Sequence, residues 1–200
     1  MCIIMTYLLI DGENFKRKLG AVLRSSDNKR PAWHEYNFKG LFNKVLKDIK
    51  IDRAIFYFAR VREHPDTKEK SKNLIEEQRL LKTHLEKQGF EVMLSGRIRG
   101  QIEDGFLKKK VLVFKEKGVD VKIAVDMVSW SCDKKVNSLI LGSSDSDLQP
   151  AIKETRRRGV ECVYLGFEKE PNKGLTFTTD RTILIRNSEI LEFLLKINSS

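Results

Sequence analysis

Two apolar runs in this chain end in acid. Tyr7-Leu8-Leu9-Ile10 is followed by Asp11-Gly12-Glu13-Asn14, and Ser138-Leu139-Ile140-Leu141-Gly142 by Ser143-Ser144-Asp145-Ser146-Asp147. A third acid, Asp120, opens the helical stretch Val121–Ser131 just before the second run. Ligands of an open parallel sheet bind outside the carboxyl ends of its strands. If the two runs are neighbouring parallel strands, Asp11 and Asp145 project into one crevice with Asn14 and Asp147 beside them. The helix N-terminus brings Asp120 to the same rim. Crowded carboxylates repel one another unless a cation neutralises them or some take up protons. A cation is the more productive outcome, and oxygen-only ligands select a hard one, so Mg²⁺ or Mn²⁺ is expected. One such ion, or two about 3.5–4 Å apart, would activate water and stabilise an in-line phosphodiester displacement.

Each acid taken alone has a competing reading as a helix cap: Asp147 or Ser146 for Leu148–Arg158, Asp120 for its own helix. Three acids aimed at one rim favour a shared site. Asp126 follows Asp120 by six residues, which sets the two about 120° apart around a helix. That spacing gives Asp126 a supporting or structural part.

The elements that position these acids follow from hydrophobic spacing. Tyr7–Ile10, Ala54–Ala59, Glu91–Leu94, Ser138–Leu141 and Cys162–Leu165 read as buried strands, rich in β-branched and aromatic residues. Leu41, Val45, Leu46 and Ile49, then Leu74, Leu81 and Leu85, each line one face of a helix. Strand and helix alternate, which predicts right-handed crossovers and an α/β fold with helices on both faces of a mainly parallel sheet of about five strands. Gly89 and Gly159 sit where a glycine ends a helix. Ser95–Lys117 breaks the rhythm: Arg97-Ile98-Arg99 and Val111-Leu112-Val113 read as arms of a hairpin insertion around Glu103-Asp104-Gly105. Thr182–Ile185 reads as an edge strand, with Ser188 capping a helix over Glu189–Ile197.

The chain has 200 residues, 40% of them hydrophobic. That predicts one domain over residues 1–200, with a core at 5–167 and a strand-helix extension at 176–198. A formal charge of +10 favours a polyanionic partner, with nucleic acid first among them. No apolar run reaches the roughly 18 residues that span a bilayer, and Cys2–Ile10 reads as a buried first strand running into Asp11. The three cysteines form no CxxC or zinc pattern, so a reducing cytoplasm is the expected compartment.

Asp11-Gly12-Glu13-Asn14, Lys117-Gly118-Val119-Asp120-Val121 with Ala124-Val125-Asp126-Met127, and Ser143-Ser144-Asp145-Ser146-Asp147-Leu148 occur in that order. In motif and spacing, from about Tyr7 to Leu165, the sequence resembles the NYN-domain family, specifically its LabA-like (DUF88) branch of the PIN-like nuclease superfamily. The resemblance implies a PIN-like three-layer α/β/α sandwich and a Mg²⁺- or Mn²⁺-dependent nuclease, usually acting on RNA. By the same resemblance Asp11, Asp120 and Asp145 match the metal-binding aspartates and Asn14 accompanies the first. Asp147 and Asp126 match further acidic positions that line or support the site. Where the family usually has Ser-Gly-Asp-Ser/Gly-Asp-Phe, this chain has Ser144 for the glycine and Leu148 for the phenylalanine. Ser144 costs backbone freedom if that position needs a positive φ.

For the substrate, Arg60 and Arg62 follow the second strand and are candidates to hold phosphates, with solvated loop charge as the alternative. Arg97 and Arg99 share a strand face, with Lys108, Lys109 and Lys110 across the turn, and form a candidate basic arm. Edge strands also carry Lys to discourage aggregation. Arg156-Arg157-Arg158 ends a helix at the opposite rim and reads as dipole compensation. Trp33, Tyr36 and Phe38 among Lys29, Arg30 and Lys39 suit stacking on unpaired bases or packing on the sheet. His34, His64 and His84 are scattered, and no nucleophilic triad is visible.

The expected activity is phosphodiester hydrolysis, in RNA before DNA, with Asp11, Asp120, Asp145 and Asp147 as the acidic centre. Two rivals stand beside it. One is a nucleic-acid-binding or scaffold protein with a degenerate site. The other is a different Mg²⁺-dependent phosphotransfer or phosphatase enzyme, against which stand the absence of GxxxxGK[ST] and of Asp-x-Asp after the first strand.

Overall fold

A computed structural model describes residues 5–27, 32–63, 68–104 and 110–194. One seven-stranded sheet organises them, in spatial order β4-β3-β2-β1-β5-β6-β7. Its strands are β1 (Thr6–Asp11), β2 (Arg53–Arg60), β3 (Glu91–Asp104), β4 (Lys110–Lys117), β5 (Ser138–Gly142), β6 (Glu161–Phe167) and β7 (Arg181–Ile185). Six run parallel, and only β4 is antiparallel, against β3. β1 and β5 are buried along their whole length, which is why their sequences read as unbroken apolar runs and not as alternation.

Helices cover both faces. Phe15, Leu19 and Leu23 of α1 (Gly12–Asp27), Leu41 and Phe42 of α2 (Phe38–Val45), Leu81 and Leu85 of α3 (Lys68–Lys87) and Ile190 of α7 (Asn187–Glu192) pack on one face with Leu8, Ile10, Phe56 and Phe58. On the other, α4 (Val119–Cys132), α5 (Gln149–Arg157) and α6 (Lys173–Thr178) meet Tyr7, Leu9, Tyr57, Leu141 and Tyr164. Gly12 is fixed by this packing, because a Cβ there would stand 2.0 Å from the Phe58 ring.

The sheet is larger than the expected five strands, for two reasons. The hairpin expected after Leu94 forms, but as part of the sheet and not as an insertion: β3 itself continues to Asp104 and returns antiparallel as β4. Glu103 and Asp104, expected in the turn, still pair with Val111 and Lys110, and Gly105, Lys108 and Lys109 lie outside the described residues. The tail adds β7 beside β6, the edge strand expected over Thr182–Ile185. A second correction concerns α7, which starts two residues earlier than expected. Arg186 is its N-cap, and the Glu189 carboxylate accepts the Arg186 N–H at 2.8 Å, so Ser188 is inside the helix. Gly89 and Gly159 do end helices, with φ of +91° and +81°.

The continuation of β3 contains a bulge. Phe58 pairs with Leu94 but Arg60 pairs with Arg97, one residue out of step. Gly96 absorbs the extra residue with φ +72°, and a Cβ there would lie 2.1 Å from the Lys117 carbonyl oxygen.

Candidate functional site

β1 and β5 are adjacent and in register, Ile10 opposite Gly142, so the residues that follow each emerge side by side at the carboxyl rim. Asp11 is the last residue of β1 and only 8% exposed. One carboxylate oxygen accepts the Asn14 N–H at 3.1 Å and the other the Ser143 hydroxyl at 3.3 Å. Burial raises the Asp11 carboxyl above its ordinary value of 3.8; the hydrogen bonds from Asn14 and Ser143 oppose this, and the charges of Asp145 and Glu13 reinforce it. The Ser143 hydroxyl links the two acids, donating to Asp11 and accepting the Asp145 N–H.

The loop after β5 is held by hydrogen bonds to its backbone. The Ser143 hydroxyl oxygen accepts the Asp145 N–H at 3.2 Å, and the Asn14 side-chain carbonyl accepts the Ser144 N–H at 3.0 Å. Asp145 itself caps the 3-10 turn Ser146–Leu148, accepting the Asp147 N–H at 2.9 Å. The cap expected of Asp147 or Ser146 on the following helix is not made, since α5 has Leu148 at its N-cap with no side-chain cap, and the exposed Asp147 side chain faces solvent. Ser144 is not among the residues of positive φ, so replacing the family's glycine introduces no left-handed strain. Leu148 is 1% exposed and anchors the turn in the core.

Asp120 approaches from α4, which runs antiparallel to β1. Trp130 meets the Tyr7 ring edge-on at 5.3 Å near the start of β1. Asp126 accepts the Tyr57 hydroxyl at 3.0 Å, and Tyr57 pairs with Asp11 at the strand's end. Asp120 lies about 9 Å further toward the helix N-terminus, which puts it at the carboxyl rim. The helix N-cap is Gly118, not Asp120, and Asp120 has no hydrogen-bond or ion-pair partner among the described residues. Asp126 is buried and spoken for by Tyr57 and Lys122, the structural alternative for that residue. Burial first and the Asp126 charge second raise the Tyr57 hydroxyl above its ordinary range, so it stays protonated and donates.

The acids are oxygen donors suited to a hard cation, and the partly desolvated Asp11 beside Asp145 is the place where one would relieve repulsion. Among the described residues no three His, Cys, Asp or Glu side chains lie close enough together to hold a metal ion. The fit is thus a two-carboxylate one, Asp11 with Asp145, with Asp120 on the same rim but outside a three-acid set.

Of the candidate phosphate-binding residues, Arg60 and Arg97 are exposed and directly paired in register, and Arg62 is exposed in the connection beyond β2. Arg99 is placed by its backbone alone, opposite Lys115. The aromatic group is core: Tyr36 is 0% and Phe38 1% exposed, and Trp33 packs against the same cluster. Base stacking by these rings is corrected to packing, and Lys29 and Arg30 lie outside the described residues. Arg156 pairs with Asp180, and Arg157 and Arg158 with Glu154, as expected of a structural cluster.

Sequence reading passed over two residues that build the site. Ser143 donates to Asp11 and was legible only as the next residue after an apolar run. Asn172 lies far along the chain, at the N-cap of α6; its amide donates to the Ser144 carbonyl at 2.9 Å and the Ser146 hydroxyl at 3.0 Å. No local signal marks it.

Six parallel strands between two helical layers, with acids at the carboxyl rim, define an α/β protein of the kind consistent with a PIN-like fold. A family model for the NYN domain matches residues 5–186, and the chain belongs to that family. NYN domains are part of the PIN-like nuclease superfamily, whose members act on nucleic acids and generally use divalent metals. The fold is similar to the crystal structure of a protein of unknown function from Vibrio parahaemolyticus, which is 20% identical, covers 91% of this chain and 93% of that one, and superposes with a TM-score of 0.58. No curated protein matches the chain. Among the described residues no helix is long and apolar enough to cross a membrane.

Proposed function

We propose that this protein is a divalent-metal-dependent nuclease of the LabA-like (DUF88) branch, hydrolysing phosphodiester bonds in RNA in preference to DNA. The observation that supports this reading most is Asp11: a buried carboxylate at a strand end, with two hydrogen-bond donors and the Asp145 charge beside it. A buried acid facing a second acid is costly without a cation. Asp11 and Asp145 would hold Mg²⁺ or Mn²⁺, with Asp120 approaching from α4. The ion, when bound, lowers the pKa of water and stabilises charge on the phosphate.

The chain's own groups supply the rest. Ser143 and the Asn14 N–H fix the Asp11 carboxylate, and Asn14 and Asn172 fix the loop that carries Asp145. Asp147, exposed beside them, orients water or a substrate hydroxyl. Ser144 supports the loop through its backbone, and Asp126 supports α4 through Tyr57. The cytoplasm is the expected compartment. A second reading, nucleic-acid binding without turnover, draws on the two-carboxylate geometry.

The test is cleavage of end-labelled RNA and DNA by the purified protein in Mg²⁺, Mn²⁺ or EDTA. Cutting in metal and none in EDTA is expected, faster on RNA. Binding without cutting in either metal would favour the second reading.

A further inference from the structure

Arg60 ends β2, Lys117 ends β4 and Arg97 lies midway along β3, and the register pairs Arg60 with Arg97 and Arg97 with Lys117. Three cations therefore stand in one cross-strand row, each directly opposite the next. Neighbouring strands lie about 4.8 Å apart, so the row spans about 10 Å. Like charges directly opposite one another destabilise a sheet. All three residues are exposed, and none has an acidic partner among the described residues.

The Gly96 bulge creates this row. Met93 and Ile98 both pack on the α4 and α5 side of the sheet, although an odd spacing puts residues on opposite faces of a regular strand. The parity switch between them turns Arg97 to the face of Phe56 and Phe58, the face on which Arg60 follows by alternation. A regular strand would have turned Arg97 away from Arg60. The next pair along the hairpin, Arg99 opposite Lys115, is also basic.

The row is placed to one side of the acids. Asp11 pairs with Tyr57 and shares its α4 side of the sheet, so Arg60 lies one strand over, about 10 Å further along and on the α1 side, and a strand held on the row reaches the acids across the end of the sheet. On the other side, beyond β6, the exposed charges are mixed: Glu168, Lys169 and Glu170. The geometry points to a one-sided grip, in which a single strand of nucleic acid crosses β2, β3 and β4 along this row with its phosphates on Arg60, Arg97 and Lys117. It enters the acidic centre from that side only. This rests on the reading of nucleic acid as the partner of the rim and adds where the strand lies.

The test uses the full chain in EDTA, so that binding is read without cleavage. Fluorescence anisotropy of labelled single-stranded RNA and DNA is measured across salt for the wild type, for Arg60→Gln/Arg97→Gln/Lys117→Gln, and for Arg157→Gln/Arg158→Gln as control. Three phosphate contacts on a single strand contribute roughly −2 to the slope of log K against log salt. The row variant loses about that much slope, while the control keeps the wild-type slope. Its melting temperature in the absence of nucleic acid is unchanged or higher, because like-charge contacts are relieved. An unchanged slope in a folded row variant overturns the proposal, as does row-dependent binding to vesicles of anionic lipid with none to RNA or DNA. A wild type that binds through the row but never cuts leaves the grip standing and removes the nuclease reading instead.

Discussion

The side-chain carbonyl of Asn14 accepts the backbone N–H of Ser144 at 3.0 Å, across 130 residues of sequence. This bond ties the first turn of α1 to the loop after β5, the two segments that carry Asp11 and Asp145. Asn14→Ala leaves a part-buried N–H unpaired and is expected to cost about 1–3 kcal/mol, read as a lower melting temperature. Asn14→Asp keeps an acceptor but adds charge beside Asp11, so its deficit should be larger at pH 7 than at pH 4. Equal deficits at both pH values would show that Asn14 acts through packing alone.

Asp11 should couple stability to both pH and metal. Its carboxyl is raised above 3.8 in the folded chain, so the folded state holds the proton more tightly than the unfolded state does. The contribution is favourable below about pH 3.8 and is lost as pH rises through the raised value. Asp11→Asn should therefore melt higher than the wild type at pH 7 without metal. Mn²⁺ should raise the melting temperature of the wild type and not that of the variant. A less stable variant at pH 7 would mean that ionised Asp11 is already well compensated.

The Tyr57–Asp126 pair should matter to folding more than to the rim. Asp126→Ala strands a buried hydroxyl and is expected to destabilise by about 1–3 kcal/mol. Tyr57→Phe should cost less, since Asp126 keeps Lys122. Denaturant unfolding measures both. The reverse order would show that Lys122 carries little of the Asp126 charge.

Gly96→Ala adds a methyl against the Lys117 carbonyl at a φ of +72°. A loss of about 2–4 kcal/mol is expected, together with weaker binding of nucleic acid as Arg97 is turned out of line. A neutral substitution would mean that the hairpin can re-register without the bulge.

The parallel core was readable because strands buried on both faces leave continuous apolar runs, as Leu8-Leu9-Ile10 and Leu139-Ile140-Leu141 do. Asp11 and Asp145 were readable because acids that end such runs must emerge at one rim. Asn172 was not, since only the folded topology carries the start of α6 to the Ser144 loop. The length of β3 was hidden by its own residues: Gly96 and Gly100 punctuate it, and Glu103-Asp104 has turn-like composition yet pairs in the ladder. Tyr36 and Phe38 looked available to bases because their neighbours are basic. The deciding fact was the depth of the cluster around Phe56 and Phe42, which flanking charge does not report.

The decisive measurement is cleavage of labelled single-stranded RNA by the wild type, Asp145→Asn and Asp126→Asn, each in Mn²⁺ and in EDTA. The wild type is expected to cut in Mn²⁺ only, a folded Asp145→Asn not to cut, and Asp126→Asn to retain cutting. Undiminished metal-dependent cutting by Asp145→Asn would contradict this and move the chemistry away from this rim.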